Sequence, residues 1–209
     1  MRWKPMLFVL TIAVMVSLLA SCNDDLEDTR SIVTVASINE NEPFFSDVLS
    51  QGDSVYDKSG VAITRDDYVV EDWVPVVFYN KPYNEFTTTS PGEPFGEVII
   101  TNYRIEWERI DNLGTEVPNA YQGATSVVVP VGEMVQGGVL LVPFYEKNRA
   151  FLQELNYLGP RVGQEVLCIA HLTFWGHEVG APSREFTFNA SLSVSFGDMV
   201  IKSRPEDAM

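Results

Sequence analysis

Apolar and polar residues alternate along much of this chain, a pattern typical of β-strands with one buried and one solvent-facing side. The alternation is longest near the C-terminus: the even positions are apolar in both 166–175 and 185–196, and Thr, Asn and Ser fill the odd positions of 187–195. Other stretches rich in β-branched or aromatic residues predict five further strands, at 32–38, 68–79, 97–110, 125–131 and 138–143.

Two local signals complete this pattern. Pro75 interrupts the stretch 68–79, and a proline inside a strand predicts a sheet edge or a bulge. Helical spacing of apolar residues occurs in one place, at Phe151, Leu152, Leu155 and Leu158. The sequence therefore predicts an all-β chain folded as a two-sheet antiparallel sandwich, with about seven strands and one short helix.

Trp107 lies on the third predicted strand, at a place where immunoglobulin-like domains often bury a tryptophan. On this basis the stretch 31–201 resembles an immunoglobulin-like or fibronectin type III-like domain. The chain departs from antibody domains in two ways, because the second strand has no cysteine to pair with Cys168, and Val166 stands where those domains have a tyrosine. The resemblance implies a fold and no particular activity.

The N-terminus has the pattern of a secretory signal. Arg2 and Lys4 precede an uncharged apolar run at 5–19, which is shorter than the roughly 20 residues that a membrane-spanning helix needs. The run ends in Leu19-Ala20-Ser21-Cys22, which resembles a bacterial lipobox. In lipoproteins with this motif the signal is cut before the cysteine, which then carries acyl chains. The resemblance implies that Cys22 anchors the protein in a membrane.

The predicted organisation is a lipoprotein signal peptide at 1–21, an acidic tether at 22–30, a β-sandwich domain at 31–203 and a polar tail at 204–209. In the enterobacterial pattern an aspartate after the lipidated cysteine favours the inner membrane. Asn23 stands there instead and favours the outer membrane. We expect a lipid-anchored protein of the bacterial cell envelope that faces the periplasm or the cell surface.

The formal net charge of −15 argues against nucleic acid as a partner and against adhesion to acidic lipid. The chain has two cysteines, so acylation of Cys22 leaves Cys168 without an intramolecular disulfide partner. The alternation of its strand places Cys168 on the inward side. We therefore expect a buried, free thiol.

Catalytic motifs are missing from the sequence: there is no GxSxG elbow and no glycine-rich phosphate loop. His171, His177 and Glu178 could bind zinc, but the alternation puts His171 on the face opposite Cys168, and two unrelated surface histidines are the better interpretation. Acidic residues in or near loops could bind calcium, but their spacing does not fit an EF-hand, and solvated surface charge is preferred: Asp53, Asp57, Asp66, Asp67, Glu71 and Asp72. We expect no metal, cofactor or catalysis, with a metal-dependent hydrolase as the outlying alternative.

The segment 78–97 is long for a connection between strands and contains four candidate ligand-binding aromatics: Tyr79, Tyr83, Phe86 and Phe95. Long loops on a rigid sandwich are common sites of recognition. The competing interpretation is that these rings fold back over the core. The main hypothesis is a lipid-anchored, extracytoplasmic binding or assembly module without catalytic activity, whose partner is an unknown protein or glycan. The alternative is a carbohydrate-binding surface lipoprotein that uses these aromatics.

Overall fold

The structure is a computed structural model that describes residues 31–50, 54–56, 62–65, 67–82, 96–179 and 181–198. The strands in these ranges are β1 Ser31–Ile38, β2 Phe44–Asp47, β3 Ser54–Tyr56, β4 Ala62–Arg65, β5 Asp72–Pro82, β6 Val98–Arg109, β7 Tyr121–Val129, β8 Met134–Val142, β9 Val166–Glu178 and β10 Ala181–Gly197. The helical elements are a 3₁₀ helix at Asn39–Asn41, α1 at Phe144–Lys147 and α2 at Ala150–Gln153.

The strands form a three-stranded sheet in the order β1-β5-β8, a five-stranded sheet in the order β2-β10-β9-β6-β7, and a small hairpin of β3 and β4. The predicted all-β sandwich is confirmed. It differs from the prediction in having eight strands in its two sheets, a parallel pairing of β2 with β10, and two helices of four residues each. Strand β2 escaped the sequence pattern because four residues are too few to show a regular alternation.

The two sheets pack face to face and enclose the hydrophobic core. Phe78 of β5 meets Phe174 of β9 edge to face, with ring centroids 5.1 Å apart. Removing each such large side chain from water contributes about 1.5–3 kcal/mol. On the inward side of β6, Tyr103 and Ile105 are buried. Trp107 follows them on that side but is half-buried, and its ring packs 5.4 Å from that of Phe196.

Pro75 predicted a sheet edge or a bulge, and the edge is wrong because β5 lies between β1 and β8. The register irregularity of β5 against β8 falls between Asp72 and Trp73. Pro75 is tolerated there for a local reason. The pairing of β1 with β5 starts at Ile38 and Val76, so β1 does not extend to Pro75 in the described ladder. Only β8 pairs with β5 at this point, through Gly138. A proline removes one backbone donor, which costs least where one side of the strand is locally unpaired.

The sequence pattern places a loop at 176–182, between the two C-terminal strands, and this prediction is wrong for most of these residues. Strand β9 continues to Glu178, with Gly176 inside it, and β10 begins at Ala181. A Cβ at position 176 would be 2.6 Å from the carbonyl oxygen of Ile99, so the glycine permits a close approach of β6 to β9.

Candidate functional site

The structure places one of the four predicted binding aromatics. Tyr79 lies within β5 and is half-buried, with Thr34 of β1 and Met134 of β8 as its neighbours across the sheet. It belongs to a strand, which corrects its assignment to a loop. Cys22, Tyr83, Phe86 and Phe95 lie outside the described residues.

The histidines lie on the outer face of the five-stranded sheet. His171 contacts Glu108 Oε2 through Nε2 at 3.0 Å and Ser191 Oγ through Nδ1 at 3.2 Å. His177 is six residues further along β9, which is about 20 Å in an extended strand, whereas Glu178 is buried on the other face. Among the described residues no group of three or more potential metal ligands occurs.

Cys168 confirms the predicted face assignment, since its side chain is fully buried and its thiol is free. Burial raises the pKa of this thiol to about 11, so at neutral pH it is protonated. A buried, protonated thiol is a poor nucleophile. Cys168 therefore acts as a small apolar core residue.

The acidic residues proposed as surface charges include one that is built into the interior. Asp72 accepts a hydrogen bond from Lys147 Nζ at 2.6 Å and another from Ser46 Oγ at 2.6 Å. Burial raises the pKa of Asp72, and the Lys147 ammonium opposes that change. These contacts join β5, β2 and α1. They thereby fix the start of β5, where the outward-pointing residues of this strand begin.

The outer faces of the two sheets differ in character. On the five-stranded sheet the outward positions are mainly polar or charged: Arg104, Glu106, Glu108, His171, Thr173, Thr187, Asn189, Ser191, Ser193 and Ser195. This is the ordinary arrangement for a sheet with one solvated side. The outer face of the five-stranded sheet is therefore of the usual, mainly polar kind.

The outer face of the three-stranded sheet is mostly apolar. Along β5 the inward positions Val74, Val76 and Phe78 are buried, so the alternate residues point outward. Trp73 is 56% exposed, and on the neighbouring strands Met134 is 66% and Ile32 44% exposed. We call this surface the apolar face and define it by six residues: Ile32, Trp73, Pro75, Val77, Tyr79 and Met134.

Trp73 is held in place at one end of the apolar face. Its indole Nε1 donates a hydrogen bond to Glu71 Oε1 at 2.9 Å. The ring lies beside Gly138, where an added Cβ would be at an ordinary contact distance of 3.7 Å from Trp73 Cε3. Next to the ring is a shallow depression of about 350 Å³, lined by Trp73, Val74, Pro75, Gln136, Gly137 and Gly138. The orientation of the indole is thus set before any partner binds.

The apolar face offers contact area rather than reactive groups. Successive outward residues on β5 are about 6.6 Å apart, so Trp73 and Tyr79 lie roughly 20 Å from each other. Charged side chains flank this row, with Glu71 just before β5 and Lys81 near its end. Such a surface can bind an apolar or planar partner by excluding water from both.

The sequence contains a signal for this exposed surface. In YVVEDWVPVVFY both the odd and the even positions are largely apolar from residue 73 onward. A strand that is apolar on both sides must be covered on both sides or leave one exposed. The described residues form two layers with no third layer over this sheet, so the apolar row is exposed.

No known protein family matches this chain, and neither a characterised protein nor a solved structure is similar enough to identify a relative. In the part of the chain that the structure describes, no helix has the length and apolarity required to cross a membrane. The apolar face is consequently the feature of the described residues that most directly indicates a function.

Proposed function

We propose that this protein is a lipid-anchored, extracytoplasmic binding or assembly module without catalytic activity, and that the apolar face is its contact surface. One observation supports this proposal above others: the three-stranded sheet exposes Trp73, Met134 and Ile32, whereas the five-stranded sheet presents mainly polar side chains, with Val128 and Leu167 as exposed apolar residues. Exposed apolar patches on a stable domain are characteristic of interaction sites. Aromatic residues and Met are also enriched in protein interfaces.

The anchor rests on the lipobox-like Leu19-Ala20-Ser21-Cys22. Two or more acyl chains are needed for stable attachment, because one chain alone anchors a protein only marginally. In a bacterial host fed labelled palmitate, the unmodified chain should incorporate label and the Cys22→Ser variant should not. A control substitution in the same segment, Ser17→Ala, should leave incorporation unchanged. Equal labelling of the Cys22→Ser variant would refute the anchor.

The contact surface can be tested in intact cells by placing a photo-crosslinking amino acid at Val77, in the centre of the apolar face. The matched control places it at Ser191, which is exposed on the opposite sheet. We expect a discrete crosslinked product from position 77 and none from position 191. Products from neither position, or the same product from both, would contradict the proposal.

A carbohydrate-binding surface lipoprotein is the second candidate, and the exposed indole of Trp73 favours it. Trp73 and Tyr79 point outward from the same strand, and rings in such a row can stack on sugar rings. In affinity electrophoresis through gels containing neutral polysaccharides, retardation should disappear in Trp73→Ala and persist in Trp175→Ala, a half-exposed tryptophan on the other sheet. Unretarded migration of the unmodified protein in every gel would exclude this candidate for the polysaccharides used.

A further inference from the structure

We propose that the occupant of the apolar face is a second copy of this chain, packed face to face with its β5 antiparallel to the β5 of the first. This inference rests on the proposed role of the apolar face as a contact surface and adds the identity of the partner. Three features of the molecule support it: the order of outward residues along β5, the charges beside this row and the area of the apolar face.

The outward row of β5 is nearly symmetric in character about Val76. Pro75 and Val77 are one residue from this centre, and the aromatic residues Trp73 and Tyr79 are three residues from it. Opposite charges, Glu71 and Lys81, are five residues away on either side. A row with this symmetry can match a reversed copy of itself, which is what a two-fold contact between identical surfaces requires.

Two face-to-face arrangements have two-fold symmetry, and the charges distinguish them. If the two β5 strands ran parallel, Glu71 would face Glu71 and Lys81 would face Lys81. In the antiparallel arrangement Glu71 of each copy faces Lys81 of the other, and each Trp73 ring lies over a Tyr79 ring. Opposite charges at an interface favour the register that pairs them. The net charge of −15 opposes association in both arrangements and so does not select between them.

The available area fits a modest dimer. Strand β5 has 11 residues. Strands β1 and β8 are shorter, with 8 and 9 residues. At about 3.3 Å per residue and about 4.8 Å between strands, the three strands cover roughly 450 Å² on each copy. Two such surfaces bury about 900 Å², the size of a weak contact rather than of a permanent interface. Anchoring both copies in one membrane would raise their effective concentration and favour such a contact.

Cysteine crosslinking of the full chain in membranes tests the arrangement directly. Cys168 is buried, and acylation would block Cys22, so an introduced cysteine supplies the reactive thiol. Treatment with a short bismaleimide should join two Val77→Cys chains, because their residues 77 lie about 12 Å apart, close to the two-fold axis of sheets packed about 10 Å apart. Trp73→Cys alone should not crosslink, since its copies are about 20 Å apart in the antiparallel arrangement. Coexpressed Trp73→Cys and Tyr79→Cys chains should crosslink to each other. Ser191→Cys is the control on the polar sheet and should remain monomeric.

Charge exchange provides the second measurement, carried out in the Val77→Cys background. Lys81→Glu alone places two carboxylates opposite each other and should lower the crosslinked fraction severalfold. Glu71→Lys should do the same, and it also removes the acceptor of the Trp73 indole N–H. The double exchange should raise the crosslinked fraction above that of either single variant, and melting curves would verify that every variant folds. The dimer proposal is overturned by a monomeric Val77→Cys chain, by crosslinking of Trp73→Cys to itself, or by no recovery in the double exchange. If the photo-crosslink at position 77 instead joins this chain to a different protein, the proposed contact surface is supported and the dimer proposal is refuted.

Discussion

Lys147 Nζ lies 2.6 Å from Asp72 Oδ1 in an ion pair that is almost wholly removed from solvent. Lys147 also donates to the carbonyl oxygen of Asp47 at 2.8 Å, and Ser46 Oγ donates to the second oxygen of Asp72. Residues 72 and 147 are 75 positions apart in the chain. One buried pair thus fastens the helix after β8 to the start of β5 and the end of β2.

Removing one partner of this pair should be far more damaging than neutralising both. Lys147→Met leaves the Asp72 carboxylate buried without its cation, and such a change costs about 3–5 kcal/mol. In Lys147→Met combined with Asp72→Asn, the amide can still accept from Ser46 and no buried charge remains. We expect the double variant to recover much of the loss in urea unfolding. An equally large loss in both variants would show that packing, and not the unpaired charge, sets the cost.

A tyrosine on β6 connects the two sheets through its hydroxyl. Tyr103 Oη donates to the carbonyl oxygen of Leu140 at 3.4 Å and accepts from the Leu140 N–H at 3.1 Å. Tyr103→Phe leaves both backbone groups without this partner and should lower the free energy of unfolding by about 1–3 kcal/mol. The measurement is a urea titration. Unchanged stability would mean that water replaces the hydroxyl at Leu140.

The position of the Tyr103 ring depends on a glycine of the neighbouring strand β7. Gly123 is the β7 partner of Tyr103, and a Cβ there would overlap the Tyr103 phenol ring. Gly123→Ala should therefore displace the ring and destabilise the protein by about 1–3 kcal/mol. Gly138→Ala is the matched control, because a Cβ at 138 makes only an ordinary contact with Trp73. Thermal melts in which both alanine variants behave alike would contradict this account.

The sequence pattern predicted the elements whose burial follows from their own residues. Strands β9 and β10 alternate over more than ten residues, so their inward and outward sides were readable, including the inward Cys168. The pairing of Asp72 with Lys147 was not readable, because it depends on how β5 and the helix after β8 meet in space. The place of Gly176 inside β9 was not readable for a related reason, because glycine occurs both in turns and at close contacts between strands.

The candidate surface was harder to predict than the fold. An aromatic-rich loop attracts attention in a sequence, whereas Trp73 and Val77 resemble core residues of a fully buried strand. Their exposure depends on the number of layers, since in the described part of the chain no third layer covers the three-stranded sheet. The sheet order placed β5 in the centre of that exposed layer. This information comes from long-range pairing, not from local periodicity.

The ion pair of Arg109 with Asp111, at the end of β6, should make the free energy of unfolding depend on pH in the acid range. Hydrogen bonding from Arg109 lowers the pKa of Asp111 to about 2, and the backbone N–H groups of Leu113 and Leu167 support the same charge. A carboxyl with a lowered pKa in the folded state contributes stability above its unfolded pKa of 3.8, and that contribution disappears as pH falls towards 2. Asp111→Asn should be less stable than the parent at pH 6, and the difference should shrink between pH 4 and pH 2. Urea midpoints across this range test it, and parallel pH profiles would contradict it.

The rate at which the Cys168 thiol reacts with a reagent should depend on unfolding of the protein. Its pKa of about 11, against an ordinary value of 9.0, lowers the thiolate fraction at pH 8 by about 100-fold, and burial blocks the approach of a reagent as well. With Cys22→Ser removing the other cysteine, Ellman's reagent should react with the native protein very slowly and with the urea-unfolded protein at once. A second variant, Ser191→Cys, adds an exposed thiol as an internal standard and should titrate one equivalent promptly. The slow phase should accelerate with urea in proportion to the population of the open state, because the thiolate attacks only after the sheets separate. Prompt reaction of both equivalents in native Ser191→Cys would show that the core around Cys168 opens without global unfolding.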